Sequence, residues 1–291
     1  MQMKRAPMSH DIPLTLAPAV GGDNPLVVED TALLNEVVPA VQAAGARMLE
    51  IFNTAPDYAT RDEVVDAIHA NDAESLGVMQ PILARLRPDA GWVEDELEGG
   101  PLPAGEWWVT DPVEGNINHV HGMNEWGVTA TLVRDNQPVL TVVHLPLLGQ
   151  TYTAVRGGGA FVDGVRLNRL SPKTSLDSAL VGTGQARPGE STKTFERIGA
   201  SATLMLNTAL VIRVSVPATL QLLQVASGRM EAFWQFSQVR SGLLAGALLV
   251  AEAGGLVTDI HGAPWTLTSD DFLATTPILQ AQAIAALTQI D

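Results

Sequence analysis

Residues 108–122 read Trp-Val-Thr-Asp-Pro-Val-Glu-Gly-Asn-Ile-Asn-His-Val-His-Gly, an apolar stretch running into two carboxylates, Asp111 and Glu114, set three apart on a glycine turn. Pro112 fixes the backbone and Gly115 frees it. A strand ending at Asp111 then holds both carboxylates toward one point, where a hard cation would find oxygen ligands. Asp111 and Glu114 are therefore metal-ligand candidates. The same spacing also describes an ordinary surface turn, and spacing alone does not separate the two readings.

Outward from this segment the pattern is extended, with strands at 91–93, 107–110, 128–133, 139–144, 151–155 and 160–162 between turn residues such as Asp135-Asn136 and Gly149-Gln150. That spacing predicts an antiparallel meander. Upstream, residues 1–30 carry six of the chain's prolines and glycines in close succession (Pro7, Pro13, Pro18, Gly21, Gly22 and Pro25) and read as an extended arm. Asp30 is expected to cap a helix over about 31–52 that Pro39 kinks or begins, and Asn71 to cap a second, interrupted by Pro81. Beyond about 175, strands near 179–183, 211–215, 231–236 and 256–259 alternate with helices near 217–227, 242–253 and 278–289, which predicts a second α/β layer. The expected division is an arm over 1–30, an α+β domain over 31–173 and an α/β domain over 174–291. Gly157-Gly158-Gly159 lacks the strand-to-helix setting of a nucleotide loop and reads as a tight turn. The tryptophans at 92, 107, 108 and 126 read as core.

Composition narrows the function classes. A chain of 291 residues with 46% hydrophobic content can bury a sizeable core. A net charge of −15 disfavours nucleic acid and anionic membrane as partners. With no cysteine, disulfides, thiolate catalysis and sulfur-ligated zinc are excluded. No apolar run has membrane-spanning length and residues 1–12 do not resemble a secretory leader, so a cytoplasmic location is the expectation.

The turn at 111–118 resembles the Asp-Pro-Ile/Leu-Asp-Gly-Thr/Ser-x-Asn motif of the inositol monophosphatase family, and further segments do so in the same order. Asp66-Ala-Ile-His-Ala-Asn-Asp72 is similar to that family's Asp-x-Val-Thr-x-x-Asp, and Val93-Glu-Asp-Glu96 to its strand ending in paired glutamates. Tyr152-Thr-Ala-Val-Arg-Gly-Gly-Gly-Ala-Phe161 matches its strand and glycine turn, while Ala245-Gly246 and Glu252-Ala-Gly-Gly-Leu-Val-Thr-Asp259 resemble the helix and strand after its Trp-Asp signature. The resemblance implies a layered α-β-α-β-α sandwich, often a homodimer. It also implies hydrolysis of a small phosphate monoester by a water held between magnesium or other divalent ions.

Carried over residue by residue, the resemblance implies Asp95, Asp111, the Val113 carbonyl and Glu114 as metal ligands, with Glu94 as a substitute for Asp95 in a shorter strand. Asp72 and Glu96 stand behind them as supporting acids. Several positions depart from the family. The second aspartate of the turn is Glu114, the water-orienting threonine is Asn116, and Ser241-Gly242 stand where the family has Trp-Asp, so a fourth carboxylate is missing. Moving a carboxylate by one carbon–carbon bond shifts it roughly 1.5 Å, which magnesium, wanting contacts near roughly 2.0–2.1 Å, tolerates poorly. The start of the helix at Ser241 and Gly242, without its acid, would favour an anion.

His69 and His119 replace a threonine and an aromatic residue of the family. Either is a candidate for metal binding or acid–base chemistry with Asp95 and Asn116, or a packed or solvated substitution. His144 reads as structural. Gly115, Asn116, Pro217, Ala218, Gln235, Ser241 and Gly242 are the candidate substrate contacts, and the wall at 216–218 is more apolar than in the family. Arg213 and Arg240 read either as contacts to an anionic ligand or as exposed ion-pairing residues. The leading expectation is a divergent metal-dependent phosphate-monoester hydrolase acting on a small sugar, polyol or related metabolite phosphate. The alternatives are an enzyme using the same cleft for acid–base chemistry, or a non-catalytic binding protein with no metal; in each case the partner is a small, anionic molecule.

Overall fold

Asn24 caps the first helix, its side chain accepting from the Leu26 N–H at 3.1 Å, and Pro25 takes the first helical position, where its missing N–H is harmless. Helix α1 therefore spans Pro25–Phe52 and begins earlier than expected. It runs through Pro39. Asp30, expected as the cap, lies inside α1 and is buried. It accepts a two-pronged ion pair from Arg134 at 2.8 and 3.0 Å, and the same guanidinium bonds Glu106. The computed structural model describes residues 24–93, 99–186, 189–237 and 239–290, so most of the expected arm lies outside it.

Helix α2, Arg61–Leu86, is started by Thr60 and Glu63, each side chain bonding the other's backbone N–H. Asn71 is not a cap but a buried residue in the middle of this helix. The first sheet follows: β1 (Gly91–Trp92), β2 (Glu106–Glu114), then, after the short helix α3 (Asn116–Val120), β3 (Gly127–Arg134), β4 (Gln137–Leu145), β5 (Gln150–Val155), β6 (Gly159–Val162) and β7 (Val165–Leu167). The strands lie side by side in chain order, and from β2 onward every pair is antiparallel. β1 departs from the expected meander by pairing parallel to β2. Between β3 and β4 the turn residues Asp135 and Asn136 both take positive φ, the backbone a two-residue hairpin requires.

The second half contains β8 (Leu180–Thr183), α4 (Thr192–Thr208), β9 (Val211–Val214), α5 (Ala218–Ala226), β10 (Ala232–Gln235), α6 (Arg240–Glu252), β11 (Leu256–Thr258), β12 (Phe272–Thr275) and α7 (Gln280–Leu287). Its sheet has the order β11-β12-β10-β8-β9, with β8 parallel to both neighbours and β12 antiparallel to β10 and β11. The sequence pattern did not anticipate α4 or β12. Among the residues of α4 only Ser201 and Met205 are buried, so its apolar stripe is thin.

These elements stack as α1/α2, first sheet, α5/α6, second sheet, α4/α7. The fold is thus a mixed α/β sandwich with, among the described residues, two sheets and seven α-helices. Val37, Val41, Met48, Met79, Trp108 and Leu132 fill the outer core between α1/α2 and the first sheet. Leu222, Leu244, Leu248, Phe233 and Phe272 fill the middle. Helix α6 lies between the sheets, and every residue from Arg240 to Val250 is buried, so it carries no polar face. It crosses α5 closely at Gly246, where a Cβ would stand 2.3 Å from Leu222. At its far end the Glu252 carboxylate accepts from the N–H groups of Gly157 and Gly159 at 2.8 and 2.9 Å, two residues whose positive φ calls for glycine.

Replacing Arg134 leaves the Asp30 carboxylate buried without its main partner. Arg134→Met is expected to destabilise the fold by about 2–3 kcal/mol, discounted for the partial exposure of the guanidinium. Glu106→Gln, which removes the more exposed acid, should cost less; urea unfolding of both variants checks the order.

Candidate active site

Strand β2 delivers the acidic turn. Its pairing with β3 shifts register between Asp111 and Glu114, and the Asp111 N–H donates to Thr129 Oγ1 at 3.1 Å instead of continuing the ladder. Ser75 of α2 donates to the Pro112 carbonyl at 2.6 Å, pinning the turn from behind. Gly115 then takes φ +83°, and a Cβ there would stand 2.8 Å from the Glu125 carbonyl and 3.0 Å from Pro217. Only glycine meets both demands.

A cavity of about 470 Å³ opens beside this turn. Asp111, Val113, Glu114, Gly115 and Asn116 line it from the first half of the chain, and Pro217, Ala218, Gln235, Ser241 and Gly242 from the second. His69 lines it at an exposed position on α2. The structure thus brings the turn, the first turns of α5 and α6, and the end of β10 together. Neither α5 nor α6 has a side-chain cap bond at its start. Asp95 and Glu96, with Glu94, lie outside the described residues.

Glu114 is buried, and its Oε2 accepts from Thr219 Oγ1 at 2.6 Å. The same hydroxyl stands 3.0 Å from the Gly242 carbonyl. A hydroxyl has one hydrogen, so it satisfies both acceptors together only when Glu114 is protonated and donates to it. Burial raises the Glu114 carboxyl to about 7, against the opposing bond from Thr219. Asp72 is raised to about 6, again by burial, opposed by the Asn116 amide and the charge of His69.

Asn116 is the hub between α2 and the turn. Its amide hydrogens go to the Ile68 carbonyl at 3.0 Å and to Asp72 Oδ1 at 2.8 Å, and its carbonyl oxygen accepts from Asn71 at 2.9 Å. Both donors are engaged, so only the second lone pair of its oxygen remains to meet a water.

His119 does not face the cleft, contrary to the expectation for a catalytic or metal-binding residue. It is 1% exposed, with Trp126 and Phe52 ring centroids 4.7 and 5.3 Å away. The Met48 carbonyl, 3.1 Å from Nε2, can only accept, so Nε2 carries the proton and Nδ1 accepts from Asn71 at 3.1 Å. Burial lowers its pKa and keeps the ring neutral. The reading of His119 as an acid–base group is corrected to one of packing.

Arg240 is likewise neither exposed nor a cleft residue. It is 5% exposed and donates to the carbonyls of Gly99 and Gly100 at 2.6–3.1 Å. Arg213 is exposed on β9 and lines a separate cavity that shares Val216 and Pro217 with the cleft. His144 is half-buried, bonded to Thr151 Oγ1 at 3.0 Å, and structural.

For a divalent ion the described residues are a partial fit. Asp111 and Val113 line the cleft, Glu114 is turned to Thr219, and no three His, Cys, Asp or Glu side chains among the described residues form a metal-binding cluster. The sequence reading missed Thr219 and Asn71. Thr219 follows Ala218 at a helix start and nothing local links it to an acid 105 residues away, while Asn71 was taken for a cap.

His119→Phe would keep the ring stacking but leave one Asn71 N–H buried without a partner and take from the Met48 carbonyl the second of its two bonds, the one added to its helical bond. A loss of about 2 kcal/mol is expected, measured as a lower urea midpoint.

A profile of the Inositol monophosphatase family matches residues 30–291. The chain is 31% identical to the inositol-1-monophosphatase of Rhizobium meliloti, over 80% of this chain and 87% of that protein. It is 36% identical to the Nus factor SuhB of Pseudomonas aeruginosa, over 72% of this chain and 74% of that one. The crystal structure of the extragenic suppressor protein SuhB from Bartonella henselae superposes with a TM-score of 0.73 at 25% identity, covering 88% of this chain and 99% of that chain. No helix among the described residues is long and apolar enough to cross a membrane. With the sandwich, the bulged acidic turn and the cleft between its two halves in place, the chain belongs to the inositol monophosphatase family.

Proposed function

We propose that this chain is a phosphate-monoester hydrolase that works with a divalent cation in a rebuilt site. The observation that carries the reading is the convergence of Asp111, Val113 and Glu114 with the first turns of α5 and α6 on one cavity. Asp111 and the Val113 carbonyl would hold the cation. When bound, such an ion polarises phosphoryl oxygens and lowers the pKa of a coordinated water. The backbone N–H groups at the starts of α5 and α6 favour the negative charge of the ester. Asp72 and Asn116 fix each other, and with Asn71 they hold the turn against α2. Glu114 supports Thr219 and the first turn of α6.

A second reading is favoured by the Glu114–Thr219 bond and by the glycine at position 242. An acid engaged with a hydroxyl and a missing neighbour weaken a site for two cations, as in a ligand-binding protein that has lost hydrolysis. Release of phosphate from a panel of sugar, cyclitol and simple alkyl monophosphates with magnesium, manganese or zinc separates the two. Turnover that drops at least about 100-fold in Asp111→Asn supports the hydrolase, and no turnover with any metal removes it.

Gly242 gives a sharper test. A Cβ there would meet Val239 and Ala218 only at 3.9 and 4.0 Å, ordinary contact, so the backbone at 242 admits a side chain. Gly242→Asp places an acid beside the turn. It is expected to tighten manganese binding by about tenfold or more in calorimetric titration; unchanged affinity would show that position 242 does not reach the cation.

A further inference from the structure

Resting on the phosphate-ester reading above, we infer that the alcohol part of the ester is apolar, a cyclic or branched hydrocarbon alcohol and not a polyol. Besides its acidic turn, the cavity is lined by Val65, Ile68, Ile117, Val216, Pro217 and Ala218. These come from α2, α3 and the start of α5, so three elements each present apolar surface to the same space. Val65 and Ile117 are 36% and 39% exposed. Single exposed apolar side chains are ordinary, but two on different helices lining one cavity form a surface that a ligand can cover.

The polar side chains of the lining point to the same class. A polyol entering the cleft gives up water at each hydroxyl and needs protein donors and acceptors in return. Both amide hydrogens of Asn116 are held by Ile68 and Asp72, and one of the two amide hydrogens of Gln235 goes to the Ser237 carbonyl at 2.8 Å. Next to them, the Asn118 amide closes on the carbonyls of Glu125 and Val216 at 2.7 and 2.9 Å, which fixes the apolar wall at 216–218. Asp111 and Glu114 belong to the end that meets the cation and the phosphate. Of the other polar side chains that line the cavity among the described residues, Ser241 is buried and engaged, and His69 and Gln185 stand at its solvent edge. Hydroxyls on the alcohol would therefore be stripped of water against Val65, Ile68, Ile117 and Pro217, whereas a hydrocarbon ring gains by burial there.

Cyclohexyl phosphate and myo-inositol 1-phosphate make a matched pair, the same ring with and without its remaining hydroxyls. Calorimetric titration of the full chain with each, in magnesium, is expected to show cyclohexyl phosphate binding at least about tenfold tighter. Initial rates of phosphate release are measured on the same pair. Ile117→Asn, and independently Val65→Gln, should narrow the ratio. Equal or tighter binding of the inositol ester overturns the inference, as does failure of both esters to bind. Tight binding of cyclohexyl phosphate without phosphate release leaves the apolar-alcohol site standing and overturns the hydrolase reading instead.

Discussion

One hydroxyl joins the two halves of the cleft. Thr219, at the start of α5, stands within hydrogen-bond reach of both the Glu114 carboxyl at the end of β2 and the Gly242 carbonyl in the first turn of α6. Because all three groups are buried, the arrangement depends on a complete set of donors and acceptors, and in that setting an unmatched polar atom costs about 1–3 kcal/mol. A longer acid in place of the family's aspartate can reach this hydroxyl. The first turn of α6 is thereby tied to the acidic turn through Thr219.

The other side of the turn is held by a different logic. Asn116 joins Ile68, Asp72 and Asn71, and Asn71 passes its second hydrogen to His119, whose other nitrogen closes on Met48. Every step pairs a donor with an acceptor, and the chain ends on a backbone carbonyl of α1. The polar centre of the site is therefore fixed to the packed core of the first layer, beside the rings of Phe52 and Trp126.

The sequence showed the turn plainly because its chemistry is local. Asp111, Pro112, Glu114 and Gly115 are adjacent, and their residue types require the backbone they adopt. The strands of the first sheet from β1 to β6 were legible for the same reason, since each alternates or runs apolar between turn residues, whereas β7, three residues long, was not. Strand β1 was placed correctly but its parallel pairing was not, because pairing direction is a property of the connection and not of the strand. Helix α4 escaped because it buries little, and β12 because its four residues sit among polar neighbours. In the site, Pro217, Ala218, Gln235, Ser241 and Gly242 could be named only through the family resemblance. Asn71 and His119 looked like a cap and a cleft base because neither a helix's length nor a side chain's direction is written in the adjacent letters.

Arg240 has a consequence of another kind. It opens α6, directly before Ser241 and Gly242, and its guanidinium grips the carbonyls of Gly99 and Gly100, which follow the acidic run Glu94-Asp95-Glu96 in the chain. Two stretches some 140 residues apart in the chain are thus mechanically one piece. Substitutions at Gly99, Gly100 and Arg240 therefore act on one shared set of hydrogen bonds and their effects on stability should not add.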